Sequence, residues 1–97
     1  MGPKKLTKSE ISALLKGVPK WSLKGGKLHR DFEFSDFITA FGFMTKAAFI
    51  SEKQDHHPEW FNVYNRVSID LSTHDCKGLS LKDFEWAKAL DQLDKGR

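Results

Sequence analysis

Two adjacent histidines, His56 and His57, stand among acids and aromatics in the run Asp55-His56-His57-Pro58-Glu59-Trp60-Phe61-Asn62-Val63-Tyr64-Asn65, and His74 follows downstream. Three of the chain's four histidines therefore fall between Glu52 and Asp75. The unperturbed pKa of imidazole lies near neutrality, so two or three histidines around one cavity can divide acid and base roles at physiological pH. Glu52 and Asp55 precede the pair at distances that let a carboxylate orient an imidazole through its far nitrogen. This stretch is the candidate active site.

Other chemistries fit the same residues less well. Cys76 lies two residues beyond His74, but no oxyanion-hole signature accompanies it, which weakens a nucleophilic mechanism. A zinc site has Glu52 and His56 one helical turn apart, with His57, His74 and Cys76 to complete the ligands. Against it, adjacent histidines rarely both reach one ion, and no Cys-x-x-Cys or His-x-x-x-His pair occurs. A purely structural role for His56 and His57, favouring a helix C-terminal dipole, explains neither His74 nor the acids.

The elements that must position these groups follow from hydrophobic periodicity. Thr7-Lys8-Ser9-Glu10 has capping-box spacing and predicts a short helix carrying Ile11, Leu14 and Leu15, closed by Gly17 and Pro19. Trp21-Ser22-Leu23 and the alternating run Lys27 to Phe34 flank Gly25-Gly26, a hairpin signal. Leu28, Phe32 and Phe34 form the apolar side of that run, Arg30 breaks it, and His29 falls on the wet side as a solvated surface histidine. Ser35 is the expected cap of a long helix from Asp36 to about Lys53.

That helix is apolar over most of its circumference. Phe37, Ile38, Phe41, Ala48 and Phe49 make one stripe, and Phe43, Ala47 and Ile50 widen it beyond what one sheet can cover. The second face is buried either against another subunit or against the other helices of the same chain. Pro58 is expected to break the helix, leaving His56 and His57 at or just past its C-terminus. Glu59 to Val63 and Val67 to Leu71 read as strands joined around Tyr64-Asn65-Arg66, and Ser80-Leu81-Lys82-Asp83 caps a last helix carrying Leu81, Phe84, Ala87, Leu90 and Leu93. The order α-β-β-α-β-β-α predicts an α+β fold, an antiparallel sheet with helices on one face.

Ninety-seven residues make one domain, residues 1–97, with 1–6 and 95–97 expected to fray. The chain is 39% hydrophobic and 30% charged, with eight Phe and three Trp, which suits a globular protein with a real core. Its net charge of +3 is dispersed rather than gathered into a Lys/Arg block, which argues against direct nucleic-acid binding. One cysteine excludes an intramolecular disulfide and fits a reducing compartment. The start shows no signal segment and no stretch reaches the length of a membrane span, so a soluble, intracellular protein with no membrane partner is expected.

Ala40-Phe41-Gly42-Phe43-Met44-Thr45-Lys46, Glu52 to Asn65 with its Glu-x-x-x-His-His-Pro core, and Leu71-Ser72-Thr73-His74-Asp75 closely resemble the pterin-4a-carbinolamine dehydratase family, especially its animal-type members. The resemblance runs from about Trp21 to Asp83. It implies dehydration of 4a-hydroxytetrahydrobiopterin to quinonoid dihydrobiopterin plus water, in tetrahydrobiopterin recycling, with no metal and no cofactor. It implies that His56, His57 and His74 are catalytic, that Glu52 and Asp83 are supporting acids, and that Asp55, His56, His57, Ser72, Thr73, His74 and Asp75 contact the pterin. Asp75 stands where many animal members have Glu. The resemblance further implies a four-stranded antiparallel sheet with three helices on one side, homodimers or homotetramers, and a cytoplasmic protein. In animal members it also implies a nuclear role as a dimerisation cofactor for a homeodomain transcription factor.

Overall fold

In the computed structural model, which describes residues 2–96, the strand alternation becomes a sheet with two unlike faces. The elements are α1 (Lys8–Leu15), β1 (Ser22–Lys24), β2 (Lys27–Glu33), α2 (Phe37–Gln54), β3 (Glu59–Val63), β4 (Arg66–Leu71), a 3-10 turn (His74–Cys76) and α3 (Leu81–Leu93). The strands lie in the order β1-β2-β4-β3, every neighbouring pair antiparallel. Gly25 and Gly26 have φ of 59° and 80° and close the β1–β2 hairpin, where a Cβ would be strained.

Leu28, Phe32, Val67, Ile69 and Leu71 point to one face and are buried there against Ala40, Phe43 and Ala47 of α2 and Phe84, Trp86, Ala87 and Leu90 of α3. Ile11, Leu14 and Leu15 of α1 pack against this same core. The architecture is the expected α+β one, four antiparallel strands with three helices on one face. No helix among the described residues is long and apolar enough to cross a membrane.

Arg30 breaks the apolar alternation without leaving a bare charge inside. Its guanidinium reaches Asp91 at 2.6 Å and Asp94 at 2.9 Å and lies 4.2 Å from the centre of the Phe32 ring. Asp91 also accepts from Trp21 Nε1 at 2.8 Å. A buried cation persists only with such partners, and here they clamp the end of α3 to β2.

Several expectations change. The cap of α2 is Asp36, whose side chain accepts from the Thr39 amide at 2.8 Å; Ser35 instead contacts the Thr39 hydroxyl. Helix α2 ends at Gln54, four residues before Pro58, because Asp55 adopts a left-handed conformation, φ 49°, and the amides of Asp55 and His56 both turn back to the Ser51 carbonyl; His56 and His57 lie just past its end, as expected. His29 is buried rather than solvated. Leu6, in the segment expected to fray, is buried, and its amide donates to Leu79 O at 2.8 Å; Met1 and Arg97, also expected to fray, lie outside the described residues.

The stripe of α2 that meets the core is the one through Ala40, Phe43, Ala47 and Ser51. Phe37, Ile38, Phe41 and Phe49 point away from it, 43%, 78%, 51% and 72% exposed. Among the described residues, the chain's own helices do not cover that second face.

Candidate functional site

The C-terminal turn of α2, the loop after β4 and the first turn of α3 meet at one carboxylate. Asp83 is fully buried at the third position of α3, where its side chain completes the capping box by accepting from the Ser80 amide at 3.0 Å. Its other oxygen, Oδ1, lies 2.6 Å from His56 Nε2. An ionised carboxylate can only accept, so with Asp83 as the carboxylate Nε2 is the donor of this contact and, in a neutral ring, Nδ1 is left as the acceptor. One acid thus starts a helix and orients an imidazole.

His57 has the same chemistry in the opposite environment. Its Nε2 is 2.9 Å from Glu52 Oε2, one turn back along α2, but the two side chains are 57% and 80% exposed. Of the two acids expected to orient the histidine pair, Glu52 does so. Asp55 is exposed at the helix end and makes no such bond among the described residues.

His74 opens the 3-10 turn, exposed, directly after Thr73. The Thr73 amide donates to Gly78 O at 2.8 Å, closing the loop, and Lys77 takes a left-handed conformation, φ 55°. A surface depression of about 370 Å³ is lined by Gly25, Gly26, Lys27, Glu59, Ser72, Thr73, His74, Lys77 and Gly78. Lys27 and Glu59 form an ion pair across its rim, and the Glu59 carboxylate holds the Lys27 ammonium above its ordinary pKa range. Glu59 lies two residues after His57, and Thr73 hydrogen-bonds the acid that holds His56 at 2.8 Å. The depression therefore sits among the segments that carry all three histidines.

The structure brings Glu52 to His57 and Asp83 to His56, and it places Ser72, Thr73 and His74 on one depression. Asp75 does not line it; it borders a groove along α1 and α3 instead. Thr73, an expected pterin contact, lines the depression but is largely buried, and its hydroxyl turns inward to Asp83. The zinc set does not assemble: the two Nε2 atoms turn to different acids, the Cys76 thiol faces the carbonyls of Thr73, Gly78 and Leu79, and among the described residues no three His, Cys, Asp or Glu side chains are placed to hold a metal ion.

Residue spacing missed two features. Ser80 reads as a helix cap, yet its hydroxyl also reaches Thr73; the capping box was the available signal. His29, on the sheet face opposite the helices, sits between Asp70 (2.8 Å from Nδ1) and Asp31 (3.1 Å from Nε2). Burial alone pushes its pKa down, but the two carboxylates outweigh it and hold the ring above its ordinary value of 6.5.

A four-stranded antiparallel sheet backed by three helices, with two imidazole–carboxylate pairs at the end of the long helix, defines a class of small α+β proteins. The family model described as Pterin 4 alpha carbinolamine dehydratase matches residues 4–93, and the chain belongs to that family. A relative from Solibacter usitatus, named for pterin-4-alpha-carbinolamine dehydratase, is 55% identical over 92 residues, covering 95% of this chain and 97% of its own. One of the same name from Prochlorococcus marinus is 50% identical over 93 residues, covering 96% and 97%. The crystal structure of a transcriptional coactivator/pterin dehydratase from Brucella melitensis superposes with a TM-score of 0.87 at 43% identity, over 93% of this chain and 98% of that one.

Proposed function

We propose that the chain dehydrates 4a-hydroxytetrahydrobiopterin to quinonoid dihydrobiopterin by histidine acid/base catalysis. An acid protonates the departing 4a-hydroxyl, which leaves as water, and a base takes the proton from the pterin ring nitrogen. His56, His57 and His74 supply these groups, with Asp83 orienting His56 and Glu52 orienting His57. The pterin lies against Asp55 to His57 and Ser72 to Asp75, beside the depression under His74. The observation that carries this reading is the pairing of both adjacent histidines through Nε2 with separate acids, at 2.6 and 2.9 Å. Family membership supplies the substrate class.

The test follows quinonoid dihydropterin formation by absorbance. His57→Ala and His74→Ala each lower turnover by at least about a hundredfold while the fold is retained, since acid and base are separately needed. Normal turnover in both variants sinks the assignment, and exhaustive chelation leaves the rate unchanged. The reaction serves tetrahydrobiopterin recycling in the cytoplasm.

A second reading rests on the exposed Phe37, Ile38, Phe41 and Phe49 of α2, an apolar face that a monomer leaves in water. This face joins copies of the chain as a homodimer or homotetramer, or serves as a dimerisation surface for a transcription factor in the nucleus. The Brucella melitensis neighbour is named a transcriptional coactivator as well as a pterin dehydratase. Mass in solution decides the first part. A folded, pterin-binding protein that forms no product favours the interaction module over the enzyme.

A further inference from the structure

We propose that Ser80 and Thr73 are positioning residues, an ordered hydroxyl relay that fixes the Asp83 carboxylate and through it holds His56 as the Nε2–H form. The direction of every bond follows from donor counting. Asp83 Oδ2 can only accept, so at 2.8 Å the Thr73 hydroxyl donates to it. A hydroxyl has one hydrogen, so in the 2.6 Å contact between Thr73 Oγ1 and Ser80 Oγ the serine must be the donor. Ser80 Oγ in turn accepts from the Lys82 amide at 3.2 Å, as the cap of α3. The chain of donors runs in one sense, from the α3 backbone through Ser80 and Thr73 to Asp83.

Its consequence falls on His56. Oδ2 is held by Thr73 and by the Ser80 amide, which leaves Oδ1 directed at Nε2, 2.6 Å away. Thr73, Ser80, Asp83 and His56 are all buried, so no solvent donor is at hand to replace a lost one. The proton stays on Nε2, hydrogen-bonded to the carboxylate, and Nδ1, which makes no hydrogen bond among the described residues, is the nitrogen presented for proton transfer. Thr73, with its single hydrogen committed inward, offers no donor to a ligand in the depression beside it.

The tie to turnover rests on the dehydratase reading above; the tie to the imidazole does not. The test therefore uses free protein first. The His56 Nε2–H resonance, observed in nitrogen-15-labelled protein, is expected to be sharp and slow to exchange in wild type and in Thr73→Ser, which keeps the hydroxyl. Thr73→Val, nearly isosteric, is expected to broaden or abolish it. Ser80→Gly, which retains a competent helix cap while deleting the upstream hydroxyl, is expected to weaken it and covers the case of a Val variant that does not fold. In turnover, Thr73→Val loses at least about tenfold in kcat with KM little changed, and Thr73→Ser recovers it. A sharp Nε2–H signal in both folded Thr73→Val and Ser80→Gly overturns the relay. A wild-type protein that shows the signal but forms no product overturns the dehydratase reading alone, and the variant spectra still decide the relay.

Discussion

His56 and His57 are neighbours in sequence and carry the same kind of partner, yet they are held in different ways. The His56–Asp83 pair is buried and its acid receives three donors; the Glu52–His57 pair lies on the surface with one contact. Taking two polar groups out of water is costly, so the buried pair persists only because Thr73 and the Ser80 amide satisfy the remaining acceptor. The surface pair pays little desolvation and gains little, since water screens it and both side chains keep most of their freedom. Burial thus makes one imidazole a fixed instrument and leaves the other adaptable.

The largest break in this contrast comes from Asp83→Ala. It removes the partner of His56, the acceptor of Thr73 and half of the α3 capping box together. Stability to urea is expected to fall by about 3 to 5 kcal/mol, with the midpoint moving and the slope unchanged. A loss under about 1 kcal/mol would show that the site relaxes or hydrates, and would remove the distinction between the two pairs.

A third imidazole sharpens the comparison. His29 is buried like His56 but lies between two acids, Asp70 on β4 and Asp31 on its own strand, with the neutral Ser22 opposite on β1. Asp31 is itself held below the ordinary carboxylate range, first by the Ser68 hydroxyl at 2.6 Å and then by His29. Because the folded pKa of His29 is raised, its protonated form contributes stability that is complete below about pH 6.5 and is lost as pH rises through the folded value. Urea midpoints of wild type and His29→Asn are therefore expected to differ most near pH 5.5 and to converge toward pH 8.5. A gap independent of pH would mean the clamp holds no proton.

What could be read from the chain follows the range of the interactions involved. Both capping boxes, the Gly25-Gly26 turn and the alternation of β2, β3 and β4 are local, and they form as their spacing predicts. Ser35 and Asp36 are adjacent and both competent caps, so spacing alone could not choose between them. The apolar breadth of α2 is visible in the sequence, but both of its stripes are rich in Phe, and only packing against Phe32 and Phe34 of the sheet side selects Phe43 over Phe41. His29 was placed on the correct face; its burial depends on Asp70, 41 residues away. Asp83 lies 27 residues from His56; the family resemblance implies only that Asp83 is a supporting acid, and the fold alone pairs it with His56.

The smallest expected effect is also the one that best separates stability from function. Glu52→Gln deletes a charge 2.9 Å from His57 while both partners stay in water. The change in folding free energy is expected to lie within about 0.5 kcal/mol, and raising the salt concentration should erase what there is. Under the proposed function the same substitution still lowers turnover, because His57 loses the acid that orients it, and it does so without the Nε2–H loss expected at His56. Equal turnover in Glu52→Gln and wild type would assign the Glu52 contact to the surface alone and leave Asp83 as the one supporting acid; a stability loss near that of Asp83→Ala would mean that exposure is a poor guide to what either pair contributes.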